Sequence, residues 1–192
     1  MKKTLATLAT LFLSCPAMQS QTYFSSGYHG DLETGYSIGI GDYDFGRFEV
    51  NTSHGYQFNP YFFLGAGIGL HVMEEYSSGT PEVTMDYRNQ QVDIPIYANL
   101  RCHLLNKRFS PLVDMKAGYF VTNNGGLYAN ISAGFRYALN SKMGLNFTVG
   151  YVHEELKFEC FKDFISHSGL AYYTQPRKLH TEALSLKVGF DF

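Results

Sequence analysis

From Tyr28 onward, apolar and polar residues alternate one by one through eight separate segments. Successive side chains of an extended strand point to opposite faces, so this period predicts strands with one apolar and one polar face. Segment 28–40 sets Leu32, Tyr36, Ile38 and Ile40 against His29, Asp31, Glu33 and Ser37. Segment 45–58 sets Phe48, Val50, Thr52 and Tyr56 against Arg47, Glu49, Asn51 and Ser53. In 61–73, Phe62, Leu64, Ala66, Ile68, Leu70 and Val72 alternate with Gly65, Gly67, Gly69 and His71. Segment 91–104 opposes Val92, Ile94, Ile96, Ala98, Leu100 and Cys102 to Asp93, Pro95, Tyr97, Asn99, Arg101 and His103. Segments 111–121, 127–139, 143–153 and 179–192 repeat the pattern, the last with Leu184, Leu186, Val188, Phe190 and Phe192 opposite Ser185, Lys187, Gly189 and Asp191.

The connections carry the next signal. Turns after the second, fourth and sixth segments are short: Asn59-Pro60, Asn106-Lys107-Arg108 and Asn140-Ser141-Lys142. Those after the third and seventh, 75–88 and 154–178, are long. Outer-membrane barrels have short periplasmic turns and longer outer loops. The connections near 41–44 and 122–126 are short, so the match is partial. A soluble β-sandwich is the competing architecture, but it needs no such asymmetry. An even strand count fits closure, which lipid demands because an open sheet edge would leave backbone groups unpaired in hydrocarbon. The predicted fold is all-β: a closed antiparallel transmembrane β-barrel of about eight strands.

The N-terminus changes the picture of where the chain goes. Met1-Lys2-Lys3 is a charged start, 5–13 (LATLATLFL) a short apolar core, and small or polar residues follow. This reads as a cleaved signal peptide over 1–21, leaving a barrel domain over 22–192. Phe12-Leu13-Ser14-Cys15 loosely resembles a lipobox, but departs from one at Phe12 and Pro16. The composition, with 15 Tyr, 16 Phe, 19 Gly and no Trp, suits strands and turns. Lys and Arg number 15 against 17 Asp and Glu, which gives nucleic-acid binding no support. Cys102 and Cys160 are placed near opposite ends of the barrel, too far apart for a disulfide.

Eight strands enclose a lumen that side chains can fill. The inward set carries both signs: Asp31, Glu33, Arg47, Glu49, Asp93, Arg101, Asp114, Lys116, Arg136, Lys187 and Asp191. Buried charges are costly unless paired, so this set predicts a structural ionic network. A narrow pore for small solutes is the alternative.

Four stretches, 41–70, 92–101, 110–119 and 185–192, resemble the small outer-membrane barrels common in Bacteroidetes, within the OmpA/OmpX-like "porin family" set. The resemblance implies a location in the outer membrane of a Gram-negative bacterium. Partners would be outer-membrane lipid and lipopolysaccharide, and the barrel-assembly machinery, which would read Phe192. It implies no cofactor and no particular activity, since members include adhesins and structural anchors. The peptidoglycan-binding domain of OmpA has no counterpart in this sequence, so the family's cell-wall role is not expected. The chain is expected to be a monomer, with 75–88 and 154–178 offered to an extracellular ligand.

Some small barrels modify lipid A, which requires a hydroxyl beside a histidine base. The nearest match is Ser166-His167-Ser168 with Glu182, and its spacing is wrong. No catalytic, cofactor or metal motif is recognised. His153, Glu155, His180 and Glu182 share outward parity at the outer rim, where they could meet a cation or lipid head groups. His54 points to lipid near the inner interface, as a snorkelling residue.

Overall fold

The computed structural model describes residues 23–78, 85–123, 125–166 and 169–192. The expected signal peptide and Cys15 lie outside them. Among the described residues eleven strands run in chain order: β1 (Gly27–Ile40), β2 (Gly46–Asn59), β3 (Phe62–Met73), β4 (Tyr76–Ser78), β5 (Met85–Arg88), β6 (Gln91–Asp93), β7 (Pro95–His103), β8 (Phe109–Phe120), β9 (Leu127–Ala138), β10 (Gly144–Ser166) and β11 (Gly169–Asp191).

All pairings are antiparallel. β11 pairs with β10 on one side and with β1 on the other, so the sheet closes on itself. β6 and β7 are two halves of one stave, since both pair with β3. The break falls at Ile94, before Pro95, which has no N–H for the ladder. Ile94 is held instead by its neighbours: its amide donates to Thr122 Oγ1 (2.8 Å), and its carbonyl accepts from Val121 N (2.9 Å). Eight staves therefore form the barrel. The β4–β5 hairpin stands outside that circle and attaches to β10 through Glu159–Phe161.

Side chains follow the alternation read from the sequence. Leu32, Ile38, Phe48, Leu64, Ile68, Ile96, Ile131, Val149, Leu184 and Leu186 are exposed on the outer face. Asp31, Glu33, Arg47, Glu49, Asn51, Asp114 and Lys187 are buried inside. Apolar outside and polar inside inverts a soluble protein and suits a wall facing lipid.

Both expected loops contain paired strand among the described residues. The segment 154–178 is the outer half of a continuous β10–β11 hairpin, paired without a break from Gly144↔Asp191 to Ser166↔Gly169. The segment 75–88 contains β4 and β5. The reason is a reversal in the alternation. Along β10, Phe147 and Val149 point out while Asn146, Thr148 and Gly150 point in. Above this level Val152, Leu156 and Phe158 are buried inside, and His153, Glu155, Lys157 and Glu159 take the outward positions. β11 turns over at the same height: Leu184 and Leu186 point out, but Leu179 and Ala183 point in, opposite His180 and Glu182. A strand that leaves lipid for water must hide its apolar face and wet its outer one, so the phase flips where the membrane ends.

Candidate functional site

The lumen is filled in layers. At its centre Arg101 pairs with Asp114 (2.5 Å) and Asp31 (3.0 Å), and Lys116 pairs with Glu33 (2.8 Å) and Asp114 (3.0 Å). Lys187 carries the network outward, lying 3.8 Å from Glu33 and 2.8 Å from Glu49. Arg47 lies 3.8 Å from Glu49 and is hydrogen-bonded to Glu154. His71 sits between those two carboxylates at 3.7 Å from each, with Asn51 Oδ1 3.1 Å from its Nε2. Towards the periplasmic end, Arg136 pairs with Asp191 (2.6 Å), and Asn146 Nδ2 donates to both Asp191 (2.6 Å) and Asp31 (3.1 Å). Asp93 stands apart from the rest, bound to Arg88 and to Asn123 Nδ2 (2.8 Å).

All the residues named from sequence for the lumen are buried there. Three ionisable partners lie outside that set: Glu154, Arg88 and His71. By sequence pattern Glu154 falls in the long connection 154–178, and Arg88 in the polar stretch before the fourth strand. His71 had the right parity but no charge to mark it. Continuing the strand past His153 with unchanged parity, in step with the inward Asn146, Thr148, Gly150 and Val152, places Glu154 inside.

Above the ions lies an apolar layer: Phe45, Met73, Phe120, Tyr128, Val152, Leu156, Phe158 and Ala183, with Tyr43 and Tyr76 packed against it. Cations join the two layers, since Arg47 faces the Phe45 ring at 5.6 Å and Arg88 the Phe158 ring at 5.8 Å. Below the ions, Phe24 folds into the periplasmic mouth. It is buried, 4.3 Å from the His103 ring and 4.4 Å from the Arg136 guanidinium. Arg136 also donates to the Tyr23 carbonyl (3.2 Å). Beside Phe24 is a cavity of about 20 Å³, room for about one water molecule.

The larger recesses open outward. One of about 310 Å³ is lined by Tyr87, Arg88, Gln91, Asn123, Lys157 and Glu159. Another, of about 230 Å³, is lined by Asp42, Tyr43, His180 and Glu182. At the rim, His153 is registered opposite Glu182 and Glu155 opposite His180, and the two imidazoles stack at 5.4 Å. The four predicted rim residues are thus brought together. Among the described residues, no group of three or more His, Cys, Asp or Glu is placed to hold a metal ion. Of Ser166-His167-Ser168, residues 167 and 168 lie outside the described residues, as do the side chains of Phe161, Phe164, Tyr172 and Tyr173.

On the lipid face, His54 Nδ1 lies 2.6 Å from the Tyr28 hydroxyl, and its ring stands edge-on to Phe192 at 6.3 Å. Phe192 and Gly30 exchange both backbone hydrogen bonds, at 2.8 and 2.9 Å, and so seal the β1–β11 seam. A side chain at Gly30 would strike the Phe192 ring. Cys102 lies near the periplasmic end of β7 and Cys160 on the outer part of β10; they form no bridge with each other.

A closed barrel with a lipid-facing apolar wall and a packed polar lumen defines an integral membrane β-barrel protein. The chain matches the family described as "Outer membrane protein beta-barrel domain" over residues 5–192. It belongs to that family, which places it in the outer membrane. Solved structures similar to it include a designed transmembrane β-barrel (13% identity, TM-score 0.41, covering 91% of this chain and 98% of that one). A second designed barrel, solved by solution NMR, shares 16% identity with TM-score 0.39, covering 91% and 97%. The outer membrane protein AlkL, solved in lipid bilayers, shares 12% identity with TM-score 0.47, covering 93% and 94%. Among curated proteins none matches.

Proposed function

We propose that this protein is a non-enzymatic, plugged barrel of a Gram-negative outer membrane, of the OmpA/OmpX-like type found in Bacteroidetes, whose work is done on its outer surface. One observation carries the reading: described side chains fill the lumen from Phe24, through the ionic network, to the aromatic layer. A packed lumen favours a structural or surface-interaction role over transport. The projecting β10–β11 and β4–β5 hairpins, with the two polar recesses between them and the barrel, are the surfaces offered to an extracellular ligand. The paired His153–Glu182 and Glu155–His180 rim meets lipopolysaccharide head groups, and Phe192 serves the assembly machinery as its recognition residue.

Planar-bilayer recording tests the plug. The expected trace is a flat baseline, and a stable large conductance overturns the reading in favour of a pore. Lipid A mass spectra from a deletion strain should match those of the parent; a changed acylation pattern would instead make it an enzyme. A pull-down comparing the folded monomeric barrel with one lacking 154–178 identifies the ligand surface. Retention of the same partners by both would remove the hairpin from that role.

A further inference from the structure

Going beyond that reading, we infer that one sector of the periplasmic rim, over β7 to β10, is a seat for an anionic phospholipid of the inner leaflet. The charges point to it. In the described periplasmic connections, 23–26, 60–61, 104–108 and 139–143, every charged side chain is basic: Lys107, Arg108 and Lys142. All three are exposed, and they take part in none of the ion pairs among the described residues. The outward carboxylates Glu74, Glu155 and Glu182 stand at the other end of the barrel. The basic charge is also confined to one side, since the β2–β3 turn, Asn59-Pro60-Tyr61, carries none.

The two basic turns are neighbours. Ala138 N donates to the Arg108 carbonyl (2.7 Å), which ties the start of β8 to the strand end that leads into Lys142. The Arg108 guanidinium lies 4.9 Å from the Tyr137 ring, so it is held flat against the wall at the interface. From the same spot a row of rings climbs the lipid face. Phe109 and Phe135 have centroids 4.9 Å apart, and Phe135 and Phe147 5.3 Å, and all three are exposed. Cations at head-group height with an aromatic bed beneath them match a lipid phosphate above its acyl chains. A soluble polyanion would need the cations and not the bed.

Basic residues at an anionic surface each strengthen attachment by about fivefold, so three give on the order of a hundredfold. Native mass spectrometry of the folded barrel, in detergent with equimolar phosphatidylglycerol and phosphatidylcholine, reads this directly. Wild type should retain phosphatidylglycerol in clear preference. The triple variant Lys107→Gln, Arg108→Gln, Lys142→Gln should lose the preference. The control Lys157→Gln, Arg177→Gln, Lys178→Gln removes equal charge from the outer end and should keep it. Phe109→Ser with Phe147→Ser should weaken retention with the cations intact. Faster gel migration before boiling confirms that each variant is folded. Equal retention of both lipids by wild type overturns the inference. So does a preference that survives the turn variant, one lost equally in the control, or retention unchanged by the aromatic pair.

Discussion

Glu154 stands on β10, between Arg47 and His71, with no exposed surface. Its removal leaves a buried guanidinium with a single carboxylate, Glu49, at 3.8 Å. Breaking a buried pair costs about 3–5 kcal/mol, because the remaining charge is stranded away from water. Glu154→Ala should therefore lower the unfolding free energy of the barrel in vesicles by that amount, read from urea titration through tyrosine emission since the chain has no Trp. The comparison is Lys157→Gln. That residue pairs with Glu159 at 3.3 Å on the exposed outer wall, where a pair contributes about 0–1 kcal/mol. Equal losses in the two variants would mean that the network adds nothing as a buried structure. The lumen charges were legible as residues, since parity alone put Asp31, Glu33, Arg101 and Lys187 inside. Their partners were not, because pairing is fixed by register across strands and period two says nothing of register.

Elements were legible where the chain lies in lipid. Strands β1, β2, β3, β8 and β9 fall within a few residues of the segments marked by alternation. β10 and β11 did not, because each keeps its geometry while its polarity exchanges faces at Val152 and Ala183. A pattern search that holds one phase ends such a strand at the membrane boundary. The outer halves are fastened by Phe158, whose ring meets Tyr43 at 5.1 Å, Tyr76 at 5.9 Å and Phe45 at 6.1 Å. Truncating a buried phenylalanine costs about 3–5 kcal/mol, here drawn from the outer hairpins and not from the lipid-embedded ring of staves. Phe158→Ala should speed proteolytic nicking within 154–178 at least tenfold while the folded barrel band on a gel persists. Unchanged cleavage would show that backbone pairing alone holds the extension.

At the scale of the molecule, three stacked layers close the lumen, and they differ in chemistry. Opening one should not open the barrel. Phe24→Ala removes the periplasmic cork but leaves the ions and the aromatic layer, so planar-bilayer current is expected to stay at baseline. A new steady conductance would mean that Phe24 is the gate and the layers above it leak. Closure itself depends on the β1–β11 seam, where Phe192 exchanges two backbone bonds with Gly30. Phe192→Ser keeps those bonds and removes the ring. It should reduce the yield of assembled barrel in cells several-fold, yet leave the unfolding free energy of the folded fraction, from urea titration, within about 0.5 kcal/mol, the usual range for an exposed site. A midpoint that fell with the yield would assign the ring to stability and not to recognition.

Sequence alone determined the class of fold, because period two marks the strands and the alternation of short and long connections separates a membrane barrel from a soluble sandwich. It determined which face each residue of the embedded staves presents. It also brought His153, Glu155, His180 and Glu182 to one rim through shared parity. Only the tertiary structure decided that the barrel extends beyond the membrane as paired strand, that Glu154, His71 and Arg88 complete the ionic network, and that Phe24 corks its mouth. Those features depend on contacts between residues far apart in the chain, such as Arg47 with Glu154, Phe24 with Arg136 and Phe45 with Phe158. Such contacts exist only once the staves have closed in register.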